Sequence, residues 1–390
     1  MNYEDDFIAN TYQKLPVDIE YGEDSYLIGS DNKRYIDLMS GYGVAILGYS
    51  NKHVKDSITD QLNKIPILHA SEYNKTRSDF VEKLHNILPG KFDKMYLGNT
   101  GAEAIEAAIK AVIRSTGRRK IIAMTGSYHG KTLGALSITH SLKYRKPFMD
   151  LLNKNVDFIK YNDVNDLDKI DDDTAAVFFE PVQGESGINI PDKSYVIELR
   201  KVTERHGTAL VADEIQSGLG RTGTMWAFEN FGIVPDIITI GKGIGGGIPL
   251  SVTAGKSEFM MLEKGDQSST TGGNPIACAA GSAVIDELKP ELIRSVRHKG
   301  ELFRSMLNND LNGLKVKEIR GLGLMNAVEL RIRFLPVLLN MINNGVISLY
   351  SGISIIRMLP PYIIKDEDLE MASKIIASSI REAEENWQSQ

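Results

Sequence analysis

The sequence predicts an α/β fold, with helices covering a buried and mostly parallel sheet, followed by a smaller α+β domain. Short apolar runs such as TAAVFFE, TALVAD and DIITI lack polar alternation, which is typical of strands buried on both faces. Helical stretches separate these runs, as in βαβ units. Beyond residue 275 the pattern changes, so we predict a large domain at 51–275, a small domain at 276–390, and an N-terminal segment, 1–50, that joins the small domain.

The individual elements follow in chain order. Strands are predicted first at DSYLIG and KRYIDLM, and then a helix in which apolar residues recur at Val54, Ile58, Leu62 and Ile65. KMYLGN precedes a helix from about Glu103, RKIIAMTG precedes a loop, and TAAVFFE precedes a loop and a helix around YVIELRKVTERHG. The small domain has predicted strands at EIRGLGLMNAVEL and ISIIRMLPP and a terminal helix with an apolar stripe at Leu369, Ala372, Ile376 and Ile380.

Composition narrows the class of protein. The chain has 390 residues, 42% of them hydrophobic, which is enough for two domains, and a formal net charge of −6 that gives no reason to expect nucleic acid. The single cysteine, Cys278, excludes an intramolecular disulfide. The amino terminus is acidic and has no apolar signal core, and no 18-residue apolar run occurs. We therefore expect a cytoplasmic protein that binds no membrane.

Polar or small residues follow several of the predicted strands, where ligands of parallel sheets gather. In NTGAE, Thr100 and Glu103 form a capping box, and a well-capped helix alone would explain the motif. Alternatively, Gly101 and Ala102 let a phosphate approach the N–H groups of the helix start.

Two further strand ends carry candidate residues. Tyr128, in SYHGKT, is either core or a ring that stacks on a planar ligand, while His129 has no metal-spaced partner. In ADEIQ, Asp213 and Glu214 point to opposite faces of a continuing strand, which argues against a divalent cation. One carboxylate directed at a ligand nitrogen fits better, and we expect no metal ion.

The run IGKGIGGG contains Gly241, Gly243 and Gly246, which satisfy the G-x-G-x-x-G dinucleotide pattern, but Pro249 disfavours the helix that should follow. Glycines flank Lys242 and permit close approach of a flat ligand. A lysine that is desolvated and close to another cation has a lowered pKa and attacks aldehydes. A phosphate site, a stacking ring, an acid for a ring nitrogen and this lysine together indicate pyridoxal 5'-phosphate.

The chain resembles the class III aminotransferases, and in particular the acetylornithine and ornithine aminotransferase branch. The resemblance covers nearly the whole chain and rests on NTGAEAIEAA, SYHGKT, EPVQGESG, ADEIQSGLGRTG, GKGIGGGIPLS, SSTTGGNPIACAAG and IIRMLPP, in the family's order. It implies the fold type I of pyridoxal-phosphate-dependent transferases, whose large domain has a mostly parallel seven-stranded sheet.

The resemblance also implies roles for individual residues. Lys242 and Asp213 are the implied catalytic residues: the lysine holds the cofactor as a Schiff base, and the aspartate pairs with its ring nitrogen. The implied cofactor site further contains Thr100, Gly101 and Ala102 at the phosphate, Tyr128 and His129 at the ring, Gln216 at the phenolic oxygen, and Thr270, which reaches the cofactor of a neighbouring subunit. A homodimer with shared active sites is therefore expected.

Substrate residues are implied in the same way. Arg357 takes the second carboxylate of glutamate, Glu185 neutralises this arginine when the other substrate is bound, and Tyr12 lies near the substrate carboxylate. Two departures bear on substrate choice. Lys131 stands where the family usually has a carboxylate-binding arginine, and Thr271 stands where it usually has an aromatic residue.

The compact C-terminal part is similar to lysine-biosynthesis members from archaea and thermophiles. That resemblance implies transfer of an amino group between glutamate and aminoadipate semialdehyde linked to a small acidic carrier protein, or an ornithine-forming counterpart. N-acetylornithine, ornithine and 4-aminobutyrate are alternative substrates, and a nicotinamide-dependent oxidoreductase is the alternative from another class. The basic segment Lys143, Arg145 and Lys146 is either a carrier-docking site or a solvated turn.

Overall fold

The computed structural model describes residues 3–90 and 92–388. Its strands are β1 Ile19–Glu23, β2 Tyr26–Gly29, β3 Arg34–Asp37, β4 Lys94–Gly98, β5 Lys120–Met124, β6 Val156–Ile159, β7 Thr174–Phe179, β8 Ala209–Asp213, β9 Ile237–Ile240, β10 Ser251–Gly255, β11 Val316–Leu322, β12 Met325–Leu330, β13 Val346–Ile347, β14 Leu349–Ser351 and β15 Ile355–Met358. Its α-helices are α1 Tyr3–Phe7, α2 Ser40–Gly43, α3 Lys52–Leu62, α4 Lys75–Ile87, α5 Gly101–Thr116, α6 Leu133–Ser137, α7 Leu142–Arg145, α8 Lys193–Arg205, α9 Pro275–Glu287, α10 Pro290–Asp310, α11 Phe334–Asn343 and α12 Asp366–Gln388.

A seven-stranded sheet with the order β4-β10-β9-β8-β7-β5-β6 lies at the centre of the fold. Only β10 runs antiparallel to its neighbours β4 and β9, whereas β5 to β9 pair in parallel. Every residue of β7, β8 and β9 is buried, as the continuous apolar runs predict. The predicted α/β fold with a mostly parallel seven-stranded sheet is confirmed.

Two four-stranded sheets, β1-β2-β3-β13 and β11-β12-β15-β14, complete the fold. The predicted single strand EIRGLGLMNAVEL is in fact a hairpin, because the chain reverses at Gly323, which has a left-handed φ of 55°. Pairing of β13 with β3 brings the N-terminal segment against the C-terminal part of the chain. The domain boundaries at residues 50 and 275 stay predictions.

Helix α5 fixes the position of the loop that connects it to β4 at the edge of the sheet. Thr100 and Glu103 form the predicted capping box, and Gly117 ends the helix in the left-handed conformation. Between these ends a face of alanine, isoleucine and valine is buried against the sheet. Within the described ranges, no helix is long and apolar enough to cross a membrane.

Candidate active site

A cavity of about 250 Å³ opens where the parallel strands end. Its lining comes from the segments at the ends of β4, β5, β7, β8 and β9. It contains Gly101, Ala102, Tyr128, His129, Gly130, Lys131, Glu180, Val182, Glu185, Asp213, Ile215, Gln216, Ser217 and Lys242. Predicted residues from distant parts of the sequence therefore meet in one place.

The acidic end of the cavity is formed by Asp213, the last residue of β8. Its Oδ2 lies 2.7 Å from Nδ1 of His129, and both side chains are buried. Burial alone would lower the pKa of His129, but the hydrogen bond and the charge of Asp213 outweigh it, so the pKa is raised. The pair can therefore present one oriented carboxylate to a cationic nitrogen in the cavity.

Glu214 points away from the cavity, as strand alternation predicts. Its carboxylate accepts hydrogen bonds from the Phe228 N–H (2.9 Å) and the Ser217 hydroxyl (2.8 Å). Among residues 3–90 and 92–388, no group of three His, Cys, Asp or Glu side chains is arranged to hold a metal ion.

Lys242 is separated from the end of β9 by Gly241 and begins a short 3₁₀ turn, Lys242–Gly245, with a left-handed φ of 47°. No α-helix follows this turn, since the chain passes through Pro249 into β10, so the dinucleotide interpretation lacks its helix. The pKa of Lys242 is lowered to about 8, mainly by burial and also by the charge of Arg357, while the carboxylates of Asp213, Glu185 and Glu180 oppose this. The amine is thus suited to act as a nucleophile and as a base near neutral pH.

The start of α5 borders the same cavity through Gly101 and Ala102. A Cβ atom at Gly101 would lie 2.9 Å from Cδ1 of Ile215, and one at Gly130 would lie 2.9 Å from Cβ of Ala102. Only glycine fits at these two positions without movement of its neighbours. Because the first N–H groups of a helix have no helical partner, this edge can bind an anion.

Aromatic side chains surround the mouth of the cavity. The rings of Tyr128 and Tyr144 make an edge contact with centroids 6.1 Å apart. Lys131 is exposed, and its ammonium lies 4.7 Å from the centroid of Tyr144. Tyr144, which belongs to the basic segment considered for carrier docking, therefore contacts both Tyr128 and Lys131 at the rim.

Glu185 lines the cavity and forms an ion pair with Arg357, and we call this pair the gate. Arg357 is fully buried, and its Nη2 lies 2.9 Å from Oε2 of Glu185. The same guanidinium donates to the carbonyl oxygens of Gly184 (2.7 Å) and Tyr350 (3.2 Å). Since Glu185 is one-third exposed, it can leave the arginine more easily than the arginine can leave the wall.

Four predicted residues do not line the cavity, and one of them, Arg357, is connected to it through Glu185. Thr100 is the exposed N-cap of α5 behind Gly101. Tyr12 is 78% exposed, although its charge contributes to a raised pKa of Tyr128 of about 12, which is due mainly to burial. Thr270 is exposed on a loop whose neighbours Ser269 and Thr271 hydrogen-bond to the Asn99 side chain at 2.8 and 3.0 Å.

The sequence interpretation missed Glu180 and the apolar residues Val182 and Ile215, which also line the cavity. Glu180 follows β7 directly, just as Asp213 ends β8, and Phe179 pairs with Ala212 in the sheet. The rule that polar residues gather at strand ends could have found it. Ile215 lies beside Gln216 in a polar motif and carries no chemical signal of its own.

Pyridoxal 5'-phosphate fits the side chains of this cavity. Among the described residues, the buried atoms Nε2 of His129 and Oε1 of Gln216 have no hydrogen-bond partner within the chain. Lys242 supplies an amine, Asp213 a carboxylate, and the glycine-lined helix start an anion site. Val182 and Ile215 add apolar surface that suits a flat ring.

Comparison with known proteins shows the family. The sequence profile described as Aminotransferase class-III matches residues 7–380. The chain belongs to the class III aminotransferases. It is therefore a pyridoxal-phosphate-dependent transaminase, as the motifs predict, and the oxidoreductase alternative is set aside.

Individual relatives of this aminotransferase support the same branch. It is 40% identical over 380 residues to the [LysW]-aminoadipate semialdehyde/glutamate semialdehyde transaminase of Sulfolobus acidocaldarius, covering 97% of this chain and 98% of the relative. It is 38% identical to the acetylornithine aminotransferase of Methanopyrus kandleri, with 97% of each chain covered. The ornithine aminotransferase of Toxoplasma gondii has the same fold, with a TM-score of 0.93, 29% identity, and coverage of 98% of this chain and 94% of the other.

Proposed function

We propose that this aminotransferase moves an amino group between glutamate or 2-oxoglutarate and an ω-aldehyde or ω-amine of lysine or arginine biosynthesis. We further propose carrier-linked aminoadipate semialdehyde as the principal substrate. The observation that carries the proposal is that Glu185, which lines the same cavity as Lys242, is ion-paired with the buried Arg357. A buried arginine with a removable carboxylate partner suits an enzyme that must accept glutamate and a substrate of different charge in turn.

When bound, the cofactor supplies an aldehyde that condenses with amines and a ring that withdraws electrons from the adjacent carbon. We assign Lys242 to hold the cofactor and to move the proton at the substrate carbon. Asp213, oriented by His129, keeps the ring nitrogen positive. Gly101 and Ala102 bind the phosphate, with Thr100 fixing their helix, while Tyr128 stacks on the ring and Gln216 contacts its oxygen.

We assign the substrate contacts as follows. In the pair that is closed in the structure, Glu185 neutralises Arg357. Glutamate would displace Glu185 and place its second carboxylate on the arginine, which stays in place through its bonds to Gly184 and Tyr350. Lys131 and Tyr12 would meet the α-carboxylate, with Lys131 acting as a point charge rather than a bidentate donor.

A borohydride experiment tests the covalent role of Lys242. The protein with bound pyridoxal 5'-phosphate should be yellow and should lose its visible absorption band on reduction. Peptide mapping should then find the reduced cofactor covalently attached to Lys242. Attachment to another lysine would contradict the role of Lys242, and the absence of any attached cofactor would contradict covalent binding through a lysine.

A carrier-linked substrate is supported by the surface next to the cavity mouth. Lys143 and Lys146 are exposed, and the side chains of Leu142, Phe148 and Leu151 beside them are exposed as well. Tyr144, within this segment, contacts both Tyr128 and Lys131 of the cavity. Arg145 is less available, because its guanidinium lies 4.7 Å above the ring of Phe158 and is partly buried.

Charge reversal tests this docking surface. Replacing Lys143, Arg145 and Lys146 with glutamate should lower the catalytic efficiency with carrier-linked substrate and leave that with free N-acetylornithine nearly unchanged. A second variant, K143E/K146E, avoids the packing of Arg145 on Phe158. Lys154→Glu is the control, since this lysine is exposed outside the segment. Unchanged efficiency with the carrier-linked substrate would remove the docking proposal.

We also propose a homodimer in which Thr270 of one protomer contacts the cofactor phosphate bound by the other. Large side chains that a monomer would leave in water support it: Tyr73 is fully exposed, and Ile67, Leu62 and Tyr42 are about half exposed. A recess of about 760 Å³ between residues 69–97 and 267–272 lies beside Thr270. Light scattering should give the mass of a dimer. Thr270→Ala should weaken cofactor binding and leave the dimer intact.

One assay decides among substrates on this fold. Carrier-linked aminoadipate semialdehyde, N-acetylornithine, ornithine and 4-aminobutyrate should be compared side by side, each in the presence of the glutamate/2-oxoglutarate pair. We expect the highest kcat/KM with the carrier-linked compound. A higher value for free N-acetylornithine would transfer the proposal to arginine biosynthesis.

A further inference from the structure

Glu180 is a buried carboxylate of the cavity to which the proposed function gives no role. It is 7% exposed and lies beside Asp213, because Phe179 and Ala212 are paired residues of β7 and β8. Burial raises the pKa of Glu180, and the charge of His129 opposes this. Burial of an ionisable carboxyl group costs free energy unless hydrogen bonds compensate for the lost water, so the contacts of Glu180 indicate what it stabilises.

Those contacts join two separate loops. Oε1 of Glu180 accepts a hydrogen bond of 2.8 Å from the N–H of Tyr128, whose ring lines the cavity. Its Oε2 accepts one of 3.4 Å from the N–H of Gly184. The carbonyl oxygen of Gly184 in turn accepts the 2.7 Å bond from Arg357 of the gate, so one carboxylate connects the ring-stacking loop with the gate.

We propose that Glu180 is a positioning residue that couples the gate, Glu185 and Arg357, to the cofactor-stacking Tyr128. This inference rests on the roles proposed above for those residues. When Glu185 leaves Arg357 to admit a second carboxylate, the backbone of Gly184, which directly precedes Glu185, carries the change to Glu180, and Glu180 carries it to the backbone of Tyr128. Both hydrogen bonds need an acceptor-only group that spans two donors, which ionised glutamate provides and glutamine does not.

Glu180→Gln tests the coupling without a change of size. One of the two N–H groups loses its acceptor, so the dissociation constant of added pyridoxal 5'-phosphate should rise roughly tenfold. The visible spectrum of the bound cofactor should change with it, because the stacking ring moves. Glu214→Gln is the matched control: Glu214 is equally buried but bonds to Phe228 and Ser217 instead of the two loops, so it should lower thermal stability with a smaller effect on cofactor affinity.

A double-mutant cycle with Glu185→Gln tests the gate side. The measured quantity is the ratio of kcat/KM for glutamate to that for the ω-amine. If Glu180 acts through the gate, Glu180→Gln changes this ratio in the wild-type background and has little further effect once Glu185 has been replaced. Additive effects, or an unchanged cofactor affinity and spectrum, would overturn the coupling. Should Glu180→Gln not fold, Glu180→Asp keeps the charge but shortens the reach, and the same two criteria apply.

Failure of the coupling and failure of the proposed function give different results. If the wild-type enzyme does not transaminate glutamate, the proposed function is wrong, whereas cofactor affinity and spectrum still test the link from Glu180 to Tyr128. If the wild-type enzyme is active and the cycle is additive, only the coupling is wrong.

Discussion

The ion pair of the gate predicts opposite effects on the two half-reactions when Glu185 is replaced by glutamine. On the proposed mechanism, glutamate displaces the Glu185 carboxylate from Arg357, whereas the ω-amine needs that carboxylate to neutralise the arginine. Glu185 is one-third exposed and Arg357 is buried, so the pair lies between the surface and the interior. We take its strength as about 1 kcal/mol, the upper part of the range for exposed pairs.

An energy of this size corresponds to a factor of ~5 in an equilibrium. Glu185→Gln should therefore lower the KM for glutamate ~5-fold and lower kcat/KM for the ω-amine by at least ~5-fold, which changes the preference by ~20-fold or more. Single-turnover measurements of the cofactor's visible absorbance, made separately with each substrate, give both values.

The control is Glu318→Gln, which removes a 2.8 Å ion pair with Arg320 outside the cavity. It should leave the preference between the two substrates unchanged. A parallel loss of activity with both substrates in Glu185→Gln would refute the gate, because it would mean that Glu185 supports the cavity as a whole.

Three further predictions concern the cofactor site. Lys242→Ala should lower turnover by at least ~10²-fold, since both the attachment and the proton transfer are lost, and near-normal transamination in a coupled assay would disprove the assignment. Because the pKa of Lys242 is lowered to about 8 from an ordinary 10.5, the rate at which the apoenzyme incorporates pyridoxal 5'-phosphate should rise with pH to a plateau just above pH 8; a rate still rising above pH 10 would contradict this. Thr100→Ala should lower the free energy of unfolding, measured with urea, by ~1 kcal/mol, because the N–H of Glu103 loses its bond to the Thr100 hydroxyl. Thr100→Ser keeps a hydroxyl and should be close to wild type.

The strand-end rule accounts for most of what the sequence could predict about the site. Asp213 and Lys242 each stand at the end of an apolar run, and parallel pairing of β7, β8 and β9 brings such ends together. Glu180 satisfies the same rule, but its function lies in hydrogen bonds to backbone N–H groups of other loops. Unlike the local capping box of Thr100 and Glu103, hydrogen bonds to the backbone of a separate loop have no sequence signature, so only the folded structure identifies them.

Other differences have local physical causes. Arg145 belongs to a run of basic residues, yet its planar guanidinium lies on Phe158 of β6, the next strand along the chain. The hairpin of β11 and β12 was predicted as one strand because GLGL continues an apolar pattern across the turn at Gly323. The first difference comes from a contact between two elements, and the second from the conformation of a single turn residue.

The gate also affects the pKa of Lys242, because both of its residues carry charges near this lysine. The charge of Arg357 lowers the pKa of Lys242, and the charge of Glu185 raises it. While the two side chains are paired, their effects on this pKa therefore partly cancel. On the proposed mechanism, glutamate replaces the Glu185 carboxylate with its own, and the cancellation is kept in both half-reactions. An arginine without a removable partner would leave Lys242 beside an uncompensated cation whenever the ω-amine is bound, and the lysine would then become a weaker base in one direction of the reaction only. The exchange of one carboxylate for another therefore serves substrate choice and also keeps the same base usable in both halves of the cycle.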